Sequence, residues 1–166
     1  EMIALQDWGK VRRFLDGSWP QLIPSCHVFT DDIKRMEQWF DAACKAPFVA
    51  IDTEFNKKTR YLTLLGLGYP GMDEALQVEW PHVWSIRREA VSQRLGDMVR
   101  RVPVVFQNAV ADIPVIEQAT EVGYDAYHQI EDTLLAHAVL WSEWPHDLEF
   151  LASLYGRHPK FKHLAA

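Results

Sequence analysis

The sequence predicts an α/β domain with a mixed sheet, an expectation carried by three observations. Its 166 residues, 48% of them apolar, suffice for one substantial core and leave little room for two independent domains. Three short apolar runs, Phe48 to Phe55, Tyr61 to Tyr69 and Ala75 to Trp80, are joined by the turn-forming links Asn56-Lys57-Lys58-Thr59 and Pro70-Gly71-Met72-Asp73. Links this short suit an antiparallel three-strand meander. Segments on either side of the meander repeat their apolar residues every three or four positions, the period of a helix with one buried face.

Taken in order, residues 1–24 mix Trp8, Trp19 and two prolines without a clean period and are read as a leader packed on a domain spanning 25–166. His27 to Thr30 reads as a short strand. Asp31 and Asp32 then supply acids suited to a helix N-terminus. Ile33, Met36, Trp39, Phe40 and Ala43 mark the buried face of a helix running to about Lys45. Beyond the meander, a helix from about Val83 to Arg101 places Val91, Leu95, Met98 and Val102 on one side and leaves Arg87, Arg88 and Arg94 for solvent; Pro103 ends it. Val104 to Phe106 is a short buried strand. It leads into a helix that reaches about Val122, with Gly123 as its stop. Asp132 is read as the N-cap of a helix containing Leu134, Leu135, Ala138 and Val139. After Pro145 comes a helix with Leu148, Leu151, Ala152 and Tyr155, closed by Gly156. The closest match to this order of elements is a ribonuclease-H-like architecture.

Composition removes several functions. Cys26 and Cys44 stand in no C-x-x-C spacing, so they read as ordinary buried thiols and give no support to a zinc knuckle or disulfide framework. The seven histidines lack H-x-x-x-H spacing, which speaks against a zinc hydrolase. No apolar stretch approaches the roughly twenty residues of a membrane span, and the start shows no basic-then-apolar leader. The expectation is a cytoplasmic protein with no membrane partner. A net charge of -6 weighs against broad nonspecific nucleic-acid binding, yet is compatible with a nuclease whose metal site concentrates acids.

Two constellations carry possible chemistry. Asp52 and Glu54 stand two apart on a strand, so they project to one side while Thr53 faces away. The apolar run Phe48 to Ile51 before them suggests a central strand covered on both faces, a poor place for two negative charges unless divalent cations join them. D-x-E spacing is common, however, and two solvated acids at a strand's end explain it as simply. The second constellation is Asn108 and Asp112, four apart and able to share the first turn of a helix. Pro114 implies that regular helix starts close to Asp112. On that segment alone, a pair of competing caps is an equally good account.

Together, in order, these segments resemble a known family. Asp52-Thr53-Glu54 after an apolar strand looks like the first motif of the DEDD 3′→5′ exonucleases. Asn108-Ala109-Val110-Ala111-Asp112 is similar to their second motif, in the form frequent in the proofreading domains of family A DNA polymerases. Glu131-Asp132-Thr133-Leu134-Leu135 and Pro145 to Ala152 resemble the helical segments that follow there, so the likeness covers about residues 27–156. It implies a ribonuclease-H-like exonuclease fold and two divalent cations, Mg²⁺ or Mn²⁺, acting on a single-stranded DNA 3′ end. By the same resemblance Asp52 would bridge both ions, Glu54 would orient the attacking water, Asp112 would serve the second ion, and Asn108 would support them. A C-terminal polymerase domain is the implied partner.

The family's third motif, which brings a fourth carboxylate, is missing after Gly156. The chain is therefore read as a fragment ending before that motif, expected to bind metal weakly and cut slowly. Lys57, Lys58 and Arg60 follow the first motif and could hold phosphates, or form a solvated turn. Phe55 could stack on a terminal base or sit in the core. An RNA-trimming exonuclease of the same family and a noncatalytic binding module with the same fold are the alternative functions.

Overall fold

A computed structural model of the chain describes residues 25–29, 32–72, 74–82 and 85–155; the expected leader over 1–24 and the stop at Gly156 lie outside these. Pro24–Thr133 forms one compact unit, and the helices after Thr133 belong to a second.

The first unit is organised by a six-stranded sheet of order β1-β4-β3-β2-β5-β6. Its strands are β1 (Ser25–Phe29), β2 (Val49–Phe55), β3 (Leu62–Gly68), β4 (Glu74–Glu79), β5 (Val104–Phe106) and β6 (Ile130–Asp132). β2, β3 and β4 form the expected antiparallel meander, with Asp52 opposite Gly66 and Leu65 opposite Val78. β1 joins β4 in parallel, while β5 and β6 extend the other side in parallel from β2. β2 thus lies inside the sheet. Parallel additions require crossovers, which helices provide.

Three helices serve that purpose: α1 (Ile33–Ala43), α2 (Ser85–Val99) and α3 (Ala109–Thr120). Asp32 caps α1 by accepting the Arg35 N–H at 3.0 Å, and Met36, Trp39, Phe40 and Ala43 are buried as the periodicity predicts. Trp39 also donates through Nε1 to the Glu74 carbonyl at 2.9 Å, fixing α1 to β4. Ile33 stands exposed, outside the stripe assigned to it. Val91, Leu95, Met98 and Val102 reach the core, together with Val49, Ile51, Leu65, Leu76, Val104, Phe106, Ile113 and Ile116. Each such side chain contributes about 1.5–3 kcal/mol on burial. The arginines of α2 are less free than their spacing implies. Arg94 reaches Glu37 at 3.4 Å and Asp41 at 3.3 Å on α1, and Arg88 stacks over Trp80.

Three local expectations change. α3 begins at Ala109, not near Asp112, and carries Pro114 inside it. The carbonyl that Pro114 leaves without an i→i−4 partner is that of Val110, an exposed residue that water can reach. The residue that closes α3 is Glu121 in the left-handed region at φ 64, two residues before Gly123. Gly123 instead supplies close approach: a Cβ there would meet Glu117 Oε1 at 2.6 Å.

In the second unit, α4 (Thr133–Leu140) and α5 (Leu148–Leu154) follow, and Asp147 caps α5 through the Phe150 N–H at 3.0 Å. Leu135 and Val139 of α4 are exposed, against the apolar face expected of them, and so is Leu140. Buried in their stead is His137, whose Nδ1 lies 2.7 Å from Nδ1 of His146. Sequence spacing gave no hint of this pair. Among the described residues no helix is long and apolar enough to cross a membrane.

Candidate active site

β2 alternates strictly: Val49, Ile51 and Thr53 are buried, whereas Ala50, Asp52 and Glu54 are exposed. The strand is interior within the sheet but open on one face, which corrects the expectation of cover on both. Asp52 and Glu54 accordingly share the open face, as strand geometry requires. Although Asp52 is exposed as a residue, partial desolvation of its carboxyl, and then the neighbouring Glu54 charge, push its pKa above the usual carboxylate range.

Asp112 arrives from the other side. It lies one turn into α3, is 5% exposed, and accepts the hydroxyl of Thr53 at 2.5 Å. Burial pushes its pKa up to about 6 against the opposing Thr53 hydrogen bond, with the charges of Asp52, Asp132 and Glu54 adding to the rise. The residue that the D-x-E pattern treats as a spacer therefore holds the third acid. Thr53 does face away from Asp52 and Glu54, and that is where α3 packs.

The turn delivering Asp112 is fastened by β6, an element the sequence reading missed. Asp132 is the last residue of β6, and it accepts the N–H groups of Asn108 at 3.1 Å and Ala109 at 2.8 Å. It thereby caps α3. Asn108 occupies the N-cap position of α3 at φ 86, is exposed, and makes no side-chain capping bond. Its expected role as cap passes to Asp132. Three residues are too few for a visible strand pattern, so an acid before an apolar run was the stronger local signal.

The basic residues divide. Lys57 and Lys58 are exposed in a turn closed by Asn56, whose Oδ1 accepts the N–H of Lys58 at 2.9 Å and of Thr59 at 3.1 Å. Arg60, at φ 60, stacks its guanidinium 4.8 Å from the Phe55 ring centroid and donates to the Ala111 carbonyl at 3.1 Å. Phe55 is half-buried and packs on the core. Arg60 and Phe55 brace α3 against β2, while the two lysines stay open to solvent.

The donors suit a hard cation, being carboxylate oxygens throughout with no thiol or imidazole among them. An acid whose pKa is raised by neighbouring carboxylates, as at Asp52 and Asp112, also gains from a nearby dication. Asp52 and Glu54 fit one such ion on the open face. Among the described residues, no three His, Cys, Asp or Glu side chains are assembled as metal ligands for the expected pair of ions, although Asp112, bonded to Thr53, feels the charges of both strand acids.

No protein-family model matches the chain, and no curated protein matches it in sequence. Solved structures do. The catalytic core of RRP6 from Trypanosoma brucei superposes with TM-score 0.67 at 16% identity, covering 89% of this chain and 39% of that one. Escherichia coli RNase D, an exoribonuclease involved in structured RNA processing, gives 0.64 at 14%, covering 86% and 36%. The Nibbler EXO domain of Aedes aegypti gives 0.61 at 13%, covering 81% and 70%. The chain thus spans well under half the length of the RNase D and RRP6 structures. Their shared architecture is the ribonuclease-H-like exonuclease fold, a mixed sheet flanked by helices, and this chain has it.

Proposed function

We propose that the chain is a metal-dependent 3′→5′ exonuclease domain that hydrolyses nucleotides from DNA 3′ ends, in the proofreading setting of a DNA polymerase. The observation that carries the reading is that Asp52 and Glu54 share the open face of β2 while Asp112, 59 residues beyond Thr53, is bonded to Thr53 of the same strand and has its pKa raised by the charges of both. Buried or crowded acids cost stability, so keeping Asp112 buried beside a strand that carries two more carboxylates points to a site.

A divalent cation held by Asp52 and Glu54 would supply an acidified water and charge stabilisation for the leaving 3′-oxygen. The protein's own residues do the rest. Thr53 fixes the orientation of the Asp112 carboxylate beside the strand. Lys57 and Lys58, exposed next to the first motif, meet phosphates of the substrate strand and contribute affinity without reading sequence. Asn108 presents a side chain free of capping duty one turn from Asp112. The DNA assignment and the polymerase setting rest on the Asn108-to-Asp112 form and the segments that follow it.

A second reading is trimming of RNA 3′ ends, favoured by the RNA-processing structures that share the fold. Selectivity depends on contacts to the 2′ position. Both readings are tested by digesting 3′-labelled single-stranded DNA and RNA of one sequence with Mn²⁺ or Mg²⁺, using the wild-type chain, Asp52→Asn and Glu54→Gln. The proposal expects stepwise shortening of DNA by wild type alone. Preferential shortening of RNA would move the assignment to the second reading, and retention of both strands uncut with tight binding would make the chain a noncatalytic module.

A further inference from the structure

We propose that Asp132 is a positioning residue for Asp112, acting through the turn between β5 and α3; this rests on the exonuclease reading of the site. Register places Asp132 opposite Phe106, the last residue of β5, so its carboxylate meets the chain where β5 turns into α3. One oxygen takes the Asn108 N–H and the other the Ala109 N–H, at 3.1 and 2.8 Å. Thr133 fastens the opposite side of the same turn. Its hydroxyl lies 3.1 Å from the Phe106 carbonyl and also contacts Gln107 Oε1. Acceptors from the last residue of β6 and a donor from the residue after it thus grip consecutive residues of the turn.

The turn needs gripping. Asn108 adopts φ 86 without being glycine, a left-handed conformation that asparagine tolerates better than most residues but that still favours contacts to hold it. Freed from Asp132, Asn108 can relax to a right-handed or extended conformation, and α3 then starts at a different angle. Asp112 lies three residues beyond Ala109, about 4.5 Å along the helix axis, so a change of entry angle displaces it directly. Arg60, bonded to the Ala111 carbonyl, and Thr53, bonded to Asp112 itself, complete the frame. A displacement of about 1 Å at a reacting group costs on the order of a hundredfold in rate.

Asp32 provides the control. It too caps a helix, α1, through the N–H of Arg35, and that helix is fastened by Trp39 to β4, two strands from β2. Losing either cap lowers stability by similar amounts. The experiment compares Asp132→Ala, Asp132→Asn and Asp32→Ala with the wild type, measuring amide exchange and Mn²⁺-dependent digestion at a temperature where all remain folded. Positioning predicts that Asp132→Ala speeds exchange at Asn108, Ala109 and Asp112 at least about tenfold. It also predicts kcat lowered about 10–100-fold with KM for the labelled strand nearly unchanged. Asp132→Asn, which keeps one acceptor oxygen, recovers part of both. Asp32→Ala leaves both at the wild-type level. If Asp132→Ala matches Asp32→Ala in exchange at Asp112 and in kcat, the proposal is overturned. If the wild type cuts neither DNA nor RNA, the exonuclease reading falls, while the exchange at Asp112 still decides whether Asp132 positions it.

Discussion

Asp52 and Glu54 are placed by a single strand, whereas Asp112 is placed by four pieces of chain. Alternation along β2 alone puts the first two acids on one open face. Asp112 depends on the left-handed Asn108, the Asp132 carboxylate from β6, the Arg60 guanidinium and the Thr53 hydroxyl. The difference teaches that an acid on a strand is set by local geometry, while an acid on a helix inherits its position from whatever fastens the helix. It also separates the energetics. The strand acids are exposed and repel each other cheaply, but Asp112 is buried and its ionisation works against the fold.

The largest expected effect lies on the strand side. Asp52→Asn should reduce metal-dependent 3′-end digestion roughly a thousandfold, the order of several kcal/mol of lost charge stabilisation. Its melting temperature should hold or rise, since Glu54 loses a like-charged neighbour; a fall of many degrees would show that Asp52 serves the fold instead. On the helix side, stability should depend on pH through Asp112. Its pKa is about 6 in the folded chain and near 4 in the unfolded one, so folding takes up a proton between those values. The unfolded state there binds fewer protons, and stability should fall as pH rises from about 4 to about 6, by ~2–3 kcal/mol in all. Urea titrations across that range check the slope, which Asp112→Asn should flatten.

Thr53→Val should cost about 1–3 kcal/mol near pH 7 by leaving a buried carboxylate without its donor, and less near pH 4.5, where the acid is largely protonated. Smaller still is the contrast among the basic residues. Arg60→Ala should cost about 1–2 kcal/mol of stability through the lost ring contact and hydrogen bond. Lys57→Ala and Lys58→Ala should leave stability within ~0.5 kcal/mol and each lower the salt dependence of single-strand binding by about 0.7 in log–log slope. Equal effects from Arg60 and the lysines, in either assay, would erase the division drawn between brace and phosphate contact.

The same contrast explains what the sequence disclosed. The meander, the faces of α1 and α2, and the shared side of Asp52 and Glu54 are local consequences of period and turn chemistry, and they are legible. Helix period misjudged α4, where Leu135 and Val139 are exposed and His137 is buried. β6 escaped notice because three residues cannot show alternation, and with it went the partner of Asp132. Thr53 was correctly placed on the far side of β2, but only the packing of α3 reveals what waits there. Arg60 and Phe55 looked like substrate contacts because their neighbours Lys57 and Lys58 do; their contact with each other is a fact of three dimensions.

The central claim, that the acids of β2 and α3 form one cation-binding centre, is tested most directly by paramagnetic Mn²⁺ added to the isotope-labelled chain. The account predicts selective broadening of the amides of Asp52 to Glu54, and more weakly of Asn108 to Asp112, abolished in Asp52→Asn. Broadening centred elsewhere, or unchanged in that variant, would contradict it.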